Sequence, residues 1–438
     1  MSETVFALAS AAGRAGIAVI RLSGPQTATA LMRLGCGLPS PRKATRANFC
    51  DPSGEILDDG LLLWFPAPHS FTGEDVAELH VHGGRAVVDS ILMALKDVEG
   101  LRPAEPGEFT RRAFANDKMD LTQAEALADL VDAETRAQAK QALRQMGGAL
   151  KELYDDWRHR LVQALAHLEA VIDFPDEDLP PEIADKVWGE VNELQQRIDG
   201  HLDDGGRGER IREGLTVAII GPPNAGKSSL LNTLARREAA IVSAIPGTTR
   251  DVIEVHMNLG GYAVTLADTA GLREAGDVIE DEGIRRARKR AADADLKIAV
   301  FDGAMYPVWD EATTALIDSE TMVIVNKADL IAQQNPTTEA VQFISVKTGL
   351  GLEAFIAELQ ARISSRADTG AAMPLTRARH RKALEECRDA LSRAGAANLP
   401  ELAAEDLRLA ARALGRLTGR VEVEEILDVV FRDFCIGK

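Results

Sequence analysis

The sequence predicts a multi-domain protein of mixed class, α/β and α+β, in which an open α/β domain is inserted into a discontinuous helical domain and a separate α+β domain precedes both. Three observations predict this. A glycine-rich loop follows an apolar β-type run in "LTVAIIGPPNAGKSSLLNTLA", from Leu215 onward; the segments at about 120–210 and 376–438 carry helix-type apolar spacing; residues 1 to about 118 break into short β-type runs among turns. With 438 residues the chain exceeds one ordinary core of ~100–200 residues.

Composition narrows the class. Hydrophobic residues at 45% and charged residues at 27% are ordinary for globular chains, and aromatics at only 4% point to Ala- and Leu-rich helices. No run approaches the ~18 uninterrupted apolar residues of a membrane helix. The opening "MSETVFALASAAGRAGIAVI" carries Glu3, lacks a basic start and is broken by Arg14, so it reads poorly as a signal peptide and a cytoplasmic protein is expected. Cys36, Cys50, Cys387 and Cys435 form no C-x-x-C pair, which argues against a structural metal site and for reduced thiols. A net charge of −18 argues against an unaided grip on nucleic acid, so any such role needs a basic patch or a partner.

Taken in order, "TVFALAS", "AGIAVIRLSG", "GLLLWFP" and "DVAELHVHGG" read as strands and "ILMALKDV" as a helix, giving an α+β domain over residues 1–118. Arg21, Glu78, His80, Arg111, Arg112 and Lys118 are polar residues set in or beside these runs. Singly, each reads as a surface or structural residue. Together they would line a pocket for a heterocycle with a carboxylate tail, Glu78 accepting from an N–H edge and the cations meeting carboxylates. Residues 119–210 read as helical: Thr122-x-x-Glu125 forms a capping box, and Trp157, Leu161, Leu165, Leu168 and Ile172 make one apolar stripe. "GRGER" (206–210) and "SRADTGAAMP" (365–374) are polar joints around an inserted domain at 211–368, and the helical domain resumes over 369–438.

The inserted domain carries the chemistry. Gly221-x-x-x-x-Gly226-Lys227-Ser228 after a strand is a P-loop, whose backbone amides from Asn224, Ala225, Gly226 and Ser229 turn onto phosphate. Lys227 reaches the β/γ-phosphates and Ser228 ligates Mg²⁺. "LADTAG" places Asp268, Thr269, Ala270 and Gly271 at a strand end, with Asp268 toward Mg²⁺ and the Gly271 N–H toward the γ-phosphate. Asn326, Lys327 and Asp329 in "IVNKAD" resemble the guanine-reading motif of Ras-like GTPases, and Ser345, Val346 and Lys347 in "SVKTG" their last base-contacting loop, so the nucleotide is expected to be GTP. "AAIVSAIPGTTRD" resembles a first switch, spanning Ser243, Ala244, Ile245, Pro246, Gly247, Thr248 and Thr249, with Thr249 as sensor. Leu272 follows D-T-A-G where Ras-type enzymes have a water-orienting Gln. Asn224 with the carbonyls of Ser243 and Ile245 resembles the potassium site of a GTPase subgroup, and Glu280 is the candidate for positioning water; its alternative is a solvated acidic loop. "IRRARKR" at 284–290 reads as a solvated helix face rather than a nucleic-acid patch.

End to end the chain resembles the MnmE (TrmE) family of bacterial and mitochondrial tRNA-modification GTPases, through "GRAGIAVIRLSG", "HVHGG", "NDKMDLTQAEA", "IDFPDED", "GPPNAGKSSLLN", "IPGTTRD", "DTAGLRE", "NKAD" and the terminal C-I-G-K. The resemblance implies an N-terminal tetrahydrofolate-binding domain, a split helical domain, an inserted Ras-like, potassium-dependent G domain and a homodimer. It also implies a flavoprotein partner, MnmG (GidA), in a heterotetramer that installs a carboxymethylaminomethyl or aminomethyl group at C5 of the wobble uridine of certain tRNAs. The one-carbon donor implied is 5-formyl- or 5,10-methylene-tetrahydrofolate. It assigns folate contacts to Arg21, Glu78, Lys118 and Lys438, potassium ligands to Asn224, Ser243, Ile245 and Thr248, and Mg²⁺ ligands to Ser228 and Thr249. Ser243 stands where members often have Thr, and Pro246 where a small residue is common; neither removes a backbone ligand. Cys435 either adds to C6 of the uracil to activate C5 or packs as a small apolar side chain beside Phe434. Two alternatives stand beside this reading: a GTPase switch without group transfer, and an aminomethyltransferase regulated by GTP that needs no flavoprotein.

Overall fold

The computed structural model describes residues 3–173, 182–237, 254–268, 289–331, 341–367 and 374–421, with 427, 430, 431, 434 and 437 beyond them. The chain forms two compact units: Met1–Ala128, Met146–Val187 and Arg393–Lys438 in one, Asp129–Gln145 and Trp188–Ser392 in the other.

The first unit holds a six-stranded sheet of order β3-β4-β5-β2-β1-β6, made of β1 (Thr4–Leu8), β2 (Ala18–Ser23), β3 (Thr45–Cys50), β4 (Ile56–Phe65), β5 (Val76–Val81) and β6 (Leu101–Pro103). All neighbours are antiparallel except β1 and β6. Period-two alternation sends Ala18, Ile20 and Leu22 of β2 to one face, where they pack with Phe6, Leu79 and the helix residues Leu31, Ile91 and Leu95. The strands read from the sequence are present. The edge strand β3, "TRANFC", is not apolar enough to announce itself, and β4 begins earlier than its apolar half suggests.

On the opposite face, helix Glu108–Ala115 closes the domain through a buried ion network. Arg112 is 1% exposed; its guanidinium reaches Glu74 and Glu108, each at 2.9 Å, and donates to the carbonyl of Glu3 at 3.0 Å. Glu108 also holds Arg102 at 2.7 Å. This corrects the expectation that Arg112 lines a ligand pocket: one helical turn sets Glu108 and Arg112 on the same inward face, and their charges satisfy each other.

Helix Ala149–Asp173 buries Leu150, Tyr154, Trp157, Leu161, Ala164 and Leu168. It packs on helix Pro400–Thr418, whose inward face is largely alanine and leucine. The predicted stripe is buried at Trp157, Leu161 and Leu168, while Leu165 and Ile172 are half-buried and Ala164 is buried beside Leu165. The capping box falls earlier than expected. The Asp120 N–H donates to Gln123 Oε1 at 3.0 Å and the Gln123 N–H to Asp120 Oδ1 at 2.8 Å, while the Thr122 hydroxyl donates to the same Asp120 oxygen. Asp120 is the better cap because one of its carboxyl oxygens accepts from two donors at once.

The second unit holds the sheet β12-β11-β10-β7-β9-β8, from β7 (Leu215–Ile220), β8 (Glu254–Leu259), β9 (Tyr262–Asp268), β10 (Leu296–Asp302), β11 (Met322–Asn326) and β12 (Val341–Phe343). Every pair is parallel except β8 with β9. Helices Lys227–Arg237 and Leu352–Ala367 supply Leu230, Leu234, Phe355 and Leu359 to its core. The joint at "GRGER" is not a free linker. It continues into helix Arg207–Glu213, started by a left-handed Gly206, with Arg210 on Asp295 at 2.6 Å and Arg212 on Asp129 at 3.0 Å. Burial pushes the Cys387 thiol up to about 12, and burial together with nearby Cys50 pushes Cys36 to about 11, so both stay protonated and unreactive. Among the described residues no helix is long and apolar enough to cross a membrane.

Removing Arg112 takes a buried cation from two carboxylates in the first unit, Glu74 and Glu108, and leaves Glu108 with Arg102 as its remaining ion-pair partner. Arg112→Ala is expected to cost about 3–5 kcal/mol, read as faster amide hydrogen exchange across residues 3–118 with exchange across 215–367 unchanged. Burial pushes the Glu108 carboxyl up, but Arg102, the Glu105 N–H and Arg112 outweigh it, and it lies below its ordinary range. The stability it contributes is therefore complete above about pH 4.3 and lost as pH falls through the lowered value. Slower exchange at pH 3 than at pH 6, corrected for intrinsic rates, contradicts this.

Candidate functional site

The second sheet reverses its strand order at β7, which lies between β9 and β10. The P-loop leaves the carboxyl end of β7 at that switch point, where open α/β sheets bind ligands. Its residues are fixed by close packing. An added Cβ on Gly221 would strike the Val300 carbonyl, and one on Gly226 would strike the Asn326 amide nitrogen. Asn224 and Gly226 take left-handed φ of 62° and 96°, which turns successive amides inward as an anion cradle requires. Lys227 is buried, and its ammonium donates to the carbonyls of Gly221 at 2.8 Å and Pro222 at 2.7 Å. Ala225 is buried; Ser228 and Ser229 open the helix that follows and are exposed. β9 ends at Asp268, whose backbone pairs with Ile219 of β7.

The loops carrying N-K-A-D and S-V-K-T-G, expected from the sequence to read the base, meet the P-loop through Asn326. It is 3% exposed; its amide donates to the Ala225 carbonyl at 3.0 Å and its oxygen accepts the Val346 N–H at 3.1 Å. Ser345 donates to Asp329 at 2.6 Å and accepts the Thr348 N–H at 3.2 Å. That fixes the orientation of an exposed carboxylate. Lys347 is exposed nearby in sequence. One partner was missed by sequence reasoning: Asp302, at the end of β10, accepts from Lys327 at 2.6 Å. A carboxylate ending the strand beside N-K-A-D was the only available signal. The side chain of Asp268, and Ser243, Ala244, Ile245, Pro246, Gly247, Thr248, Thr249, Thr269, Ala270, Gly271, Leu272 and Glu280, lie outside the described residues, as do Cys435 and Lys438.

In the first unit, strand pairing sets Arg21 of β2 opposite Glu78 of β5. Arg21 donates to Glu78 Oε1 from Nη2 at 2.8 Å and from Nε at 3.1 Å. The pair is about one-fifth exposed, at 22% and 20%. The Arg21 guanidinium lies 5.3 Å from the ring of Phe71 and 5.8 Å from that of Phe109. His80 stands 3.4 Å from the second Glu78 oxygen. Lys118 is exposed, its stem against Gly73. The C-terminal segment docks on this same domain: Phe431 and Phe434 are buried with Ala124 and Phe114, Gly107 packs tightly against both phenylalanines, and Gly437, at φ 99°, lies against Leu8 and Ala9 at the end of β1.

A parallel-centred sheet with a P-loop at its switch point and N-K-A-D tied to that loop defines a GTP-hydrolysing protein of the P-loop class. Residues 4–118 match the family described as "GTP-binding protein TrmE N-terminus" and residues 121–435 the "MnmE helical domain". The chain belongs to the MnmE (TrmE) family. It is 60% identical to "tRNA modification GTPase MnmE" of Paramagnetospirillum magneticum, over 100% of both chains. It is 57% identical to the protein of that name in Rhodospirillum rubrum, over 100% of this chain and 99% of that one. Among solved structures, the G domain of the T. maritima FeoB iron transporter is 27% identical over 35% of this chain and 99% of its own, with a TM-score of 0.25.

If Asp329 reads guanine, it accepts from N1–H and the 2-amino group. Xanthine replaces that amino group by a carbonyl, to which an amide can donate. Asp329→Asn is therefore expected to lower kcat/KM for GTP by roughly 100-fold, for two lost charge-assisted bonds, and to raise it for XTP. Equal losses for both nucleotides contradict the assignment.

Proposed function

We propose that this chain is the GTP- and folate-binding component of an enzyme that modifies C5 of the wobble uridine in certain tRNAs, acting as a homodimer with the flavoprotein MnmG (GidA). The observation that carries it is the convergence in the first unit. The half-buried Arg21–Glu78 pair between two phenyl rings suits the N–H edge and flat face of a pterin. Gly437 of the C-terminal tail rests on β1, the strand next to Arg21. A switch GTPase without group transfer has no use for either feature. A free-standing transferase would have to supply its own redox cofactor, for which the sequence carries no dinucleotide fingerprint.

In this reading Glu78 accepts from the pterin, Arg21 holds Glu78 in place, and Lys118 and Lys438 meet the folate carboxylates. Tetrahydrofolate supplies the one-carbon unit, and the flavin of the partner handles electrons. Cys435, next to the buried Phe434, has two readings that remain distinct: nucleophile at C6 of the uracil, or packing residue. The −18 net charge favours tRNA contact made mainly through the partner. The chemistry is expected in the cytoplasm, where tRNA is available.

For GTP, the turn at Asn224 and the adjoining helix start fit the roles proposed for Asn224 in K⁺ binding and Ser228 in Mg²⁺ binding, completed by Ser243, Ile245, Thr248 and Thr249. A monovalent cation held there would offset charge developing between the β- and γ-phosphates. Glu280 orients the water that Leu272 cannot.

Three measurements test this. Glu78→Gln is expected to weaken 5-formyl-tetrahydrofolate binding by about 10-fold, the loss of a charge-assisted bond, with GTP turnover intact; Cys435→Ser binds folate normally and loses tRNA modification only if the thiol reacts. Undiminished folate binding by Glu78→Gln contradicts the site. GTP hydrolysis in KCl is expected to exceed that in NaCl at equal ionic strength, a preference lost in Asn224→Ala; equal rates in the two salts for the unaltered protein contradict the cation mechanism.

A further inference from the structure

Lys327 lies between Asn326, which ties the base loop to the P-loop, and the exposed Asp329. Its backbone is left-handed, with φ 61°, a conformation that a non-glycine residue keeps only where its surroundings hold it. The end of β10 does the holding. Strand register sets Asp302 opposite Asn326, the Gly303 N–H donates to the Asn326 carbonyl at 2.6 Å, and a Cβ on Gly303 would come within 2.6 Å of that oxygen. Only glycine lets the two loops close to this distance.

The side chains repeat the arrangement. Asp302 is largely buried, at 16% exposure, and its Oδ2 accepts from the Lys327 ammonium at 2.6 Å. Its Oδ1 accepts the Ala304 N–H at 3.0 Å, so the carboxylate cannot swing away without losing a second bond. A lysine stem is long and loses much rotamer freedom when a ligand orders it; one anchored beforehand has already lost it. With the ammonium tied back, the methylenes are left to present apolar surface at the rim of the base site.

We propose that Asp302 is a positioning residue for guanine recognition: it fixes Lys327 so that the lysine stem is preset against the base, and nucleotide affinity depends on a carboxylate that touches no nucleotide. This rests on Asn326-Lys327-x-Asp329 being the base-reading loop. Because Asp302 acts through Lys327, its effect must vanish when Lys327 is absent.

The test measures kcat, KM for GTP and Kd for GDP in the full-length chain with Asp302→Ala, Asp302→Asn, Lys327→Ala and the Asp302→Ala/Lys327→Ala double variant. Asp302→Ala is expected to raise KM and Kd about 10-fold, the worth of one charge-assisted bond, with kcat falling by less than KM rises. Asp302→Asn, which keeps the acceptor for Ala304 and loses only the charge, falls between it and the unaltered protein, and serves if the alanine variant does not fold. In the Lys327→Ala background, Asp302→Ala adds no further loss. Unchanged KM and Kd in both Asp302 variants, or a full additional loss in the double variant, overturns the proposal. Asp329→Asn separates the two levels: if it turns selectivity towards XTP while the Asp302 variants bind normally, only the role of Asp302 fails; if selectivity does not move, the base-loop reading fails with it.

Discussion

One buried carboxamide, Asn326, ties together two loops that leave the same sheet, one after the central strand β7 and one after the edge strand β12. Its nitrogen serves the P-loop through Ala225 and its oxygen serves the last base loop through Val346. Gly226 leaves no room for a side chain between them. A carboxamide is the group for this position because it donates and accepts at once while carrying no charge to desolvate. The P-loop and the loop after β12 are thereby held at a fixed separation; in the proposed reading, the binding energy of a purine would then align the phosphates. Asp329 with Ser345, and Lys327 with Asp302, are set around that link.

The first unit sorts its charges by burial. Arg112 and Arg21 belong to neighbouring elements of one domain, yet their surroundings assign them opposite tasks. Arg112 is enclosed, at 1% exposure, and meets two carboxylates and two carbonyls inside the domain. Arg21 meets one carboxylate beside two rings and keeps solvent access. Electrostatic closure marks the structural arginine and partial closure the candidate binding one. The docked tail adds to this, because a chain end held by Phe434 and Gly437 has given up the freedom that termini ordinarily keep.

Signals that are local in sequence were legible. The P-loop, N-K-A-D, the apolar strands and the helical stripe at Trp157 and Leu161 each follow from a short window, and the order of the four nucleotide motifs carried the domain class with them. What escaped depends on tertiary contact. The strand at Thr45–Cys50 is an edge strand with mixed polarity, visible only once β4 pairs with it. Asp120 displaced Thr122 as helix cap because a carboxylate satisfies two donors there. "GRGER" looks like a linker until Asp295 receives its Arg210 and Asp129 receives Arg212 just beyond it, and Asp302 is an ordinary strand-end acid until the register of β10 brings it to Lys327. Of the two readings open to Arg112, structural residue or pocket cation, the structure bears out the first, for the same reason: sequence shows a cation, and only packing shows that its partners are internal.

The proposed function joins a GTP-hydrolysing unit to one-carbon transfer, and the most direct test follows the carbon. Tetrahydrofolate labelled in its one-carbon unit would be incubated with this protein, the flavoprotein, tRNA and GTP, and the nucleosides analysed by mass spectrometry. The account predicts label in the C5 substituent of the wobble uridine, dependent on both proteins and on GTP. Modified uridine without label, or label transferred without the flavoprotein, would contradict it.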